Sequence, residues 1–161
     1  MLRVLTWNIL ASKWFDKYQY ITYGLNCTKK TNISKYNNFH DMRLNNIINK
    51  IKKINPDIIC FQEITLITLK IIKKKLGYKT HYSFIKNKNI ANEGNATLYN
   101  PLNHCKIIKT IKFFDNNNQP FIYTYINKNN KLYLILNIHL SRGTNSSSSI
   151  KYILNYNKKS Q

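Results

Sequence analysis

The segment from Asp41 to Glu63 constrains the fold more than any other part of the chain. Leu44, Ile47, Ile48, Ile51 and Ile54 recur at helical spacing, so one face of a helix opened by Asp41 is apolar. Asn55 and Pro56 stop it, and Ile58-Ile59-Cys60-Phe61 follows as an unbroken apolar run bounded by turn residues. Such a run suits a central strand covered on both faces, which an antiparallel sheet with one wet face would not need. A helix feeding a doubly buried strand implies an α/β sheet, with ligands expected at the carboxyl ends of its strands.

The flanking sequence extends this frame. Leu2 to Ile9 reads as a first buried strand, and Leu10 to His40 as a long loop without sustained periodicity. A second helix is expected from Thr65 to Leu76, with Gly77 just past its end. Beyond it the pattern changes to strands at Tyr78 to Ile85, Ala96 to Tyr99, Lys106 to Phe114, Phe121 to Asn127 and Lys131 to His139. Asn116 to Asn118 and Asn127 to Asn130 look like hairpin turns. Ser146 to Ser149 could cap a last helix carrying Ile150, Ile153 and Leu154. With neither repeat nor linker, residues 1–161 read as a single domain: a mixed α/β sandwich with helices outside.

Composition bounds the partners. The formal charge is +20, from 26 Lys and Arg against 6 Asp and Glu, which points to a polyanion. However, 25 Asn, 24 Ile, 23 Lys and 12 Tyr make up more than half the chain, and an AT-rich gene would produce that alone. The shortage of acids is not explained this way. Cys27, Cys60 and Cys105 are an odd number without zinc spacing, which argues against a disulfide framework and fits a reducing compartment. The apolar start is too short for a signal peptide and no window could cross a bilayer, so the expectation is a soluble intracellular protein with no membrane partner.

Three strand ends carry useful chemistry. Asn8 closes the first strand, where an amide could equally serve to finish the sheet. Glu63 follows the central strand, and a carboxylate there must be paired, neutralised or bound to a hard cation such as Mg²⁺. His139 ends the last strand; a lone histidine is more often structural, but Arg142 nearby has a planar fork suited to phosphate. Together the three ends weigh more than each alone.

Thr6-Trp7-Asn8-Ile9-Leu10, an arginine-led helix from Arg43, Pro56-Asp57-Ile58-Ile59-Cys60-Phe61-Gln62-Glu63, Glu93-Gly94-Asn95-Ala96-Thr97-Leu98-Tyr99 and Asn137-Ile138-His139-Leu140 occur in that order. In motif and order the chain resembles the endonuclease/exonuclease/phosphatase, or DNase-I-like, superfamily from Thr6 to about Leu154. The resemblance implies a two-sheet α/β sandwich with flanking helices and metal-dependent hydrolysis of phosphoesters; the excess of lysine adds the expectation of nucleic acid, RNA or single-stranded DNA, as the partner. The resemblance also implies Glu63 as the Mg²⁺ or Mn²⁺ carboxylate, Asn8 as a helper at the metal or phosphate, and His139 at the scissile phosphate. Lys86, after Gly77-Tyr78, and Arg142 are candidate substrate contacts. The Asn8 to Glu63 separation looks like the deadenylase or 2′-phosphodiesterase branch.

Two motifs of that superfamily, an Asp-x-Asn and a closing Asp-His pair, have no counterpart here, and no Asp or Glu follows Asp115. The expectation is a domain incomplete after the histidine strand. The leading reading is a metal-dependent phosphodiesterase-family chain, truncated or one half of a split enzyme completed by a second polypeptide; the alternatives are a non-catalytic basic nucleic-acid-binding remnant and a soluble α/β protein whose charge is genomic bias.

Overall fold

A computed structural model of the chain describes residues 1–9, 33–76, 82–86, 93–114 and 119–139, with backbone only for 33–40 and 82–86. The first strand, β1 (Val4–Asn8), leads by way of helix α1 (Ile33–Ile54) to β2 (Ile58–Thr65), and helix α2 (Leu66–Leu76) follows. Then come β3 (Tyr82–Lys86), β4 (Glu93–Tyr99), a short 3₁₀ turn (Pro101–Asn103), β5 (Cys105–Phe114), β6 (Pro120–Lys128) and β7 (Lys131–Ile138).

The strands form two sheets. The first has the order β1-β2-β4-β3, with β1 parallel to β2 and the other pairs antiparallel. The second is the antiparallel meander β5-β6-β7. The two sheets with their helices form the expected α/β sandwich.

Strand β2 is central and covered on both faces. Ile59, Phe61 and Ile64 pack with Ile47, Ile48 and Ile51 of α1 and Leu69 and Ile72 of α2. On the opposite face Ile58 and Cys60 meet Tyr99, Cys105 and Ile126, which joins the two sheets. The alternation follows from the two-residue period of a strand. A third cluster, Phe121 and Tyr123 with Ile111, Phe113, Leu136 and Ile138, lies on the outer face of the second sheet. Cys60 and Cys105 are buried free thiols, and burial pushes the Cys60 thiol up to about 12. Cys27 lies outside the described residues.

Local signals behave as their chemistry requires. Asn55 takes a left-handed conformation (φ 47°) and its N–H bonds Ile51 O at 2.8 Å, so α1 ends where Asn55-Pro56 was read as a stop. Thr65 Oγ1 accepts the Thr68 N–H at 3.1 Å and caps α2. Asn129 and Asn130, both left-handed, close the β6–β7 hairpin expected at Asn127 to Asn130.

Several boundaries differ from expectation, and β1, read as a buried strand, is the edge strand of its sheet with every residue exposed or half-buried. Helix α1 begins at Ile33, so Asp41 lies exposed inside the helix and does not cap it. Ile33 and Tyr36 continue the apolar spacing backwards, hidden by the asparagines around them. Strand β4 begins three residues before Ala96, because buried Glu93 and Asn95 interrupt the apolar signal; Asn95 Nδ2 bonds Pro120 O at 2.8 Å. Strand β2 continues to Thr65, so Glu63 lies within a strand and not at its end. The Asn116 to Asn118 turn, Gly77 and the Ser146 to Leu154 segment lie outside the described residues. Among those residues no helix is long and apolar enough to cross a membrane.

Candidate active site

The site forms around an irregularity in β2. Phe61 pairs with Ala96 of β4, but the next pair is Ile64 with Gly94, so Gln62 and Glu63 stand opposite the single residue Asn95. This is a β-bulge, and Glu63 adopts φ 52° to make it. In a regular strand Glu63 would continue the face of Ile59 and Phe61 and point at the helices. The bulge turns it instead toward the end of the second sheet.

There Glu63 Oε1 accepts Asn8 Nδ2 at 2.8 Å and lies 3.1 Å from His139 Nε2. The Glu63 side chain is 13% exposed and that of His139 32%, so the carboxylate is largely shielded while the imidazole reaches solvent. The carboxylate that needed a partner has an amide and an imidazole, and the three residues singled out on separate strands converge at one oxygen. Asn8 is held by its neighbours: Ile9 N–H bonds Gln62 O at 3.1 Å, and Arg43 from α1 donates to Ile9 O.

Beneath these residues lies a buried amide network that the sequence did not single out. Gln62 Nε2 donates to Asn137 Oδ1 at 2.7 Å and to Thr6 Oγ1 at 3.2 Å. Asn137 Nδ2 reaches Ala96 O at 2.9 Å, Phe61 O at 3.2 Å and Thr97 Oγ1 at 3.2 Å. The available signal was positional, because Thr6 and Asn137 each precede a site residue by two, the same-face interval of a strand.

Lys86 ends β3 opposite Gly94, which also pairs with Ile64, so its backbone lies at the site end of the sheet. Its side chain, and Arg142 altogether, lie outside the described residues. Among the described residues no group of three His, Cys, Asp or Glu could hold a metal ion. The oxygens at hand are the Glu63 carboxylate and the Asn8 amide carbonyl, a donor chemistry that fits a hard cation completed by water.

The sequence matches no family model and no curated protein. Solved structures are similar to it. A mannosyl-6-phosphatase of Bacteroides thetaiotaomicron superposes with a TM-score of 0.72 at 16% identity, over 99% of this chain and 60% of that one. TDP2 from Caenorhabditis elegans gives 0.67 at 16%, over 98% and 42%. ANGEL2, described as a 2′,3′-cyclic phosphatase, gives 0.64 at 15%, over 87% and 41%. This chain thus spans about 40 to 60% of the length of these structures.

The architecture is a DNase-I-like two-sheet fold, shared with these structures. At such identity the likeness carries the fold, and the chemistry must be argued from the site. Nothing in the comparisons supports a second polypeptide, and none is proposed.

Proposed function

We propose that the chain carries the cation- and phosphate-binding side of a metal-dependent phosphoesterase site directed at nucleic acid. The observation that carries this reading is the convergence of Asn8 and His139 on Glu63 Oε1. Glu63, with the Asn8 carbonyl, would hold Mg²⁺ or Mn²⁺. The ion when bound supplies Lewis-acid polarisation of a phosphoryl oxygen. His139 Nε2, 3.1 Å from the Glu63 carboxylate, is placed to donate to a phosphate oxygen bound there, stabilising charge on it. Lys86 and Arg142 are proposed as further phosphate contacts, the first from its strand position and the second from its guanidinium chemistry.

Support for the substrate class comes from charge and from what the similar structures hold. One of them is a Danio rerio TDP2 with single-strand DNA product and another is ANGEL2 with adenosine-2′,3′-vanadate. A net charge of +20 favours any phosphate backbone. The deadenylase or 2′-phosphodiesterase branch remains the proposed affiliation, on the Asn8 to Glu63 spacing.

Turnover by this 161-residue stretch alone is expected to be negligible. Attack by water needs a base within hydrogen-bond reach, and the site groups described, Glu63 and His139, are assigned to the cation and to the phosphate. Calorimetric titration with Mn²⁺ or Mg²⁺ should show weak binding to the wild type and affinity lower by about tenfold or more in Glu63→Gln. Equal binding by both removes Glu63 from the metal role. Fluorescence anisotropy with single-stranded RNA should show affinity falling steeply with salt. RNA binding indifferent to Mn²⁺ would favour the simpler reading of a basic binding surface without a metal site.

A further inference from the structure

We infer that the buried Gln62–Asn137 amide pair is the positioning device of this site, holding the two sheets at the spacing and register that let Glu63 meet His139. Thr6, Gln62 and Asn137 lie directly behind Asn8, Glu63 and His139 along their three strands. Gln62 touches both of the others, so one side chain links the strands that deliver all three site residues.

The link acts at the bulge itself. Asn137 comes from the second sheet, and its Nδ2 reaches Phe61 O and Ala96 O, the last matched pair before β2 goes out of register. The second sheet thereby fixes the place where the ladder breaks. That place decides which face Glu63 occupies, since a slip of one residue sends a side chain to the opposite face. Two buried amides, Gln62 7% and Asn137 1% exposed, are costly to place between sheets unless fully bonded. Apolar side chains would fill the same space but impose no direction, whereas hydrogen bonds of 2.7 to 3.2 Å do.

The metal arm of the test rests on Glu63 as the cation ligand; the geometric arm does not. The geometric readout is the ¹H–¹⁵N signature of the His139 ring at one fixed pH, compared with Glu63→Gln, in which the carboxylate contact is gone. Gln62→Met and Asn137→Leu should shift this signature toward that of Glu63→Gln and weaken Mn²⁺ binding on the order of tenfold.

The double variant Gln62→Met/Asn137→Leu leaves neither partner amide stranded and should recover much of the unfolding midpoint without recovering the site. A double variant with wild-type signature and Mn²⁺ affinity overturns the proposal. So does Asp57→Asn, at the far end of β2, if it shifts the signature as much, because general loosening would then be the cause. Should Asn137→Leu not fold, Gln62→Met decides alone. If wild type and Glu63→Gln bind Mn²⁺ equally, the metal reading falls and the His139 signature decides the positioning role by itself.

Discussion

A carboxylate stands at each end of strand β2, Asp57 just before it and Glu63 near its close, and the two are treated in opposite ways. Asp57, at the amino end, is closed in. Its Oδ2 accepts the Arg3 backbone N–H at 2.6 Å and lies 2.6 Å from Lys128 Nζ, with the Asp57 side chain fully buried and Lys128 12% exposed. Its backbone also takes part, since Asp57 N–H bonds Arg3 O at 2.9 Å and its carbonyl accepts the Asn100 N–H at 2.8 Å. Glu63, near the carboxyl end, has an amide and an imidazole for partners and a backbone in a conformation its residue type disfavours. One end uses an acid to clamp β1, β4 and the second sheet together; the other turns an acid toward Asn8 and His139, where the proposed function needs it. A left-handed backbone at the Glu63 end and an ion pair with backbone hydrogen bonds at the Asp57 end divide strain from support along one strand.

The largest expected effect breaks the clamp. Asp57→Asn leaves the Lys128 ammonium without its partner, and removing one side of a buried ion pair costs about 3 kcal/mol. Urea unfolding should show that loss while Mn²⁺ titration stays at the wild-type value. A loss at both ends would mean that the two halves of β2 are not separable.

Acid sharpens the same contrast. Burial pushes the Asp57 carboxyl up, but the Arg3 N–H and the Lys128 ammonium outweigh it and hold the group below its ordinary value of 3.8. A depressed folded-state value means that the stabilisation is complete above the ordinary value and fades as pH falls through the lower one. The gap in stability between wild type and Asp57→Asn should therefore be constant from neutral pH to about pH 5, then narrow below about pH 4. A gap that widens on acidification would show that Asp57 is not held ionised by its partners.

The legible parts of this contrast were those set by composition and period. Helix α1, the apolar run of β2 and the order of the motifs stood in the sequence because burial on two faces demands a recognisable pattern. Asn8, Glu63 and His139 were found for the same reason, as polar residues interrupting apolar strands. The bulge was not legible. It carries no glycine, and Gln62-Glu63 reads as an ordinary strand end until pairing with Asn95 shows two residues where one belongs. The amide network was hidden because Gln62 and Asn137 are only two polar residues among many, in a chain with 25 asparagines. The Asp57 clamp was hidden too, since its partners Arg3 and Lys128 lie 54 and 71 positions away and no local pattern joins them.

The smallest expected effect tests the strain directly. In strands and helices glycine is ordinarily less stable than alanine by roughly 0.5 to 1 kcal/mol, because it loses more backbone freedom on folding. At Glu63 the order should reverse. The left-handed backbone places Cβ against its own carbonyl, at a cost of roughly 1 to 2 kcal/mol for a residue with a side chain, and glycine escapes it. Alanine and glycine both lack the carboxylate, so comparing Glu63→Gly with Glu63→Ala cancels the lost contacts to Asn8 and His139 and leaves the backbone difference. Glu63→Gly should be the more stable by about 0.5 to 1 kcal/mol in urea unfolding, the strain relief being partly offset by glycine's entropy. The same pair at Thr110, a regular position in β5 opposite Thr124, should show alanine ahead. If alanine is also ahead at Glu63, the bulge relaxes once the carboxylate is gone. The left-handed turn would then be held by the Asn8 and His139 contacts and not by the strands on either side.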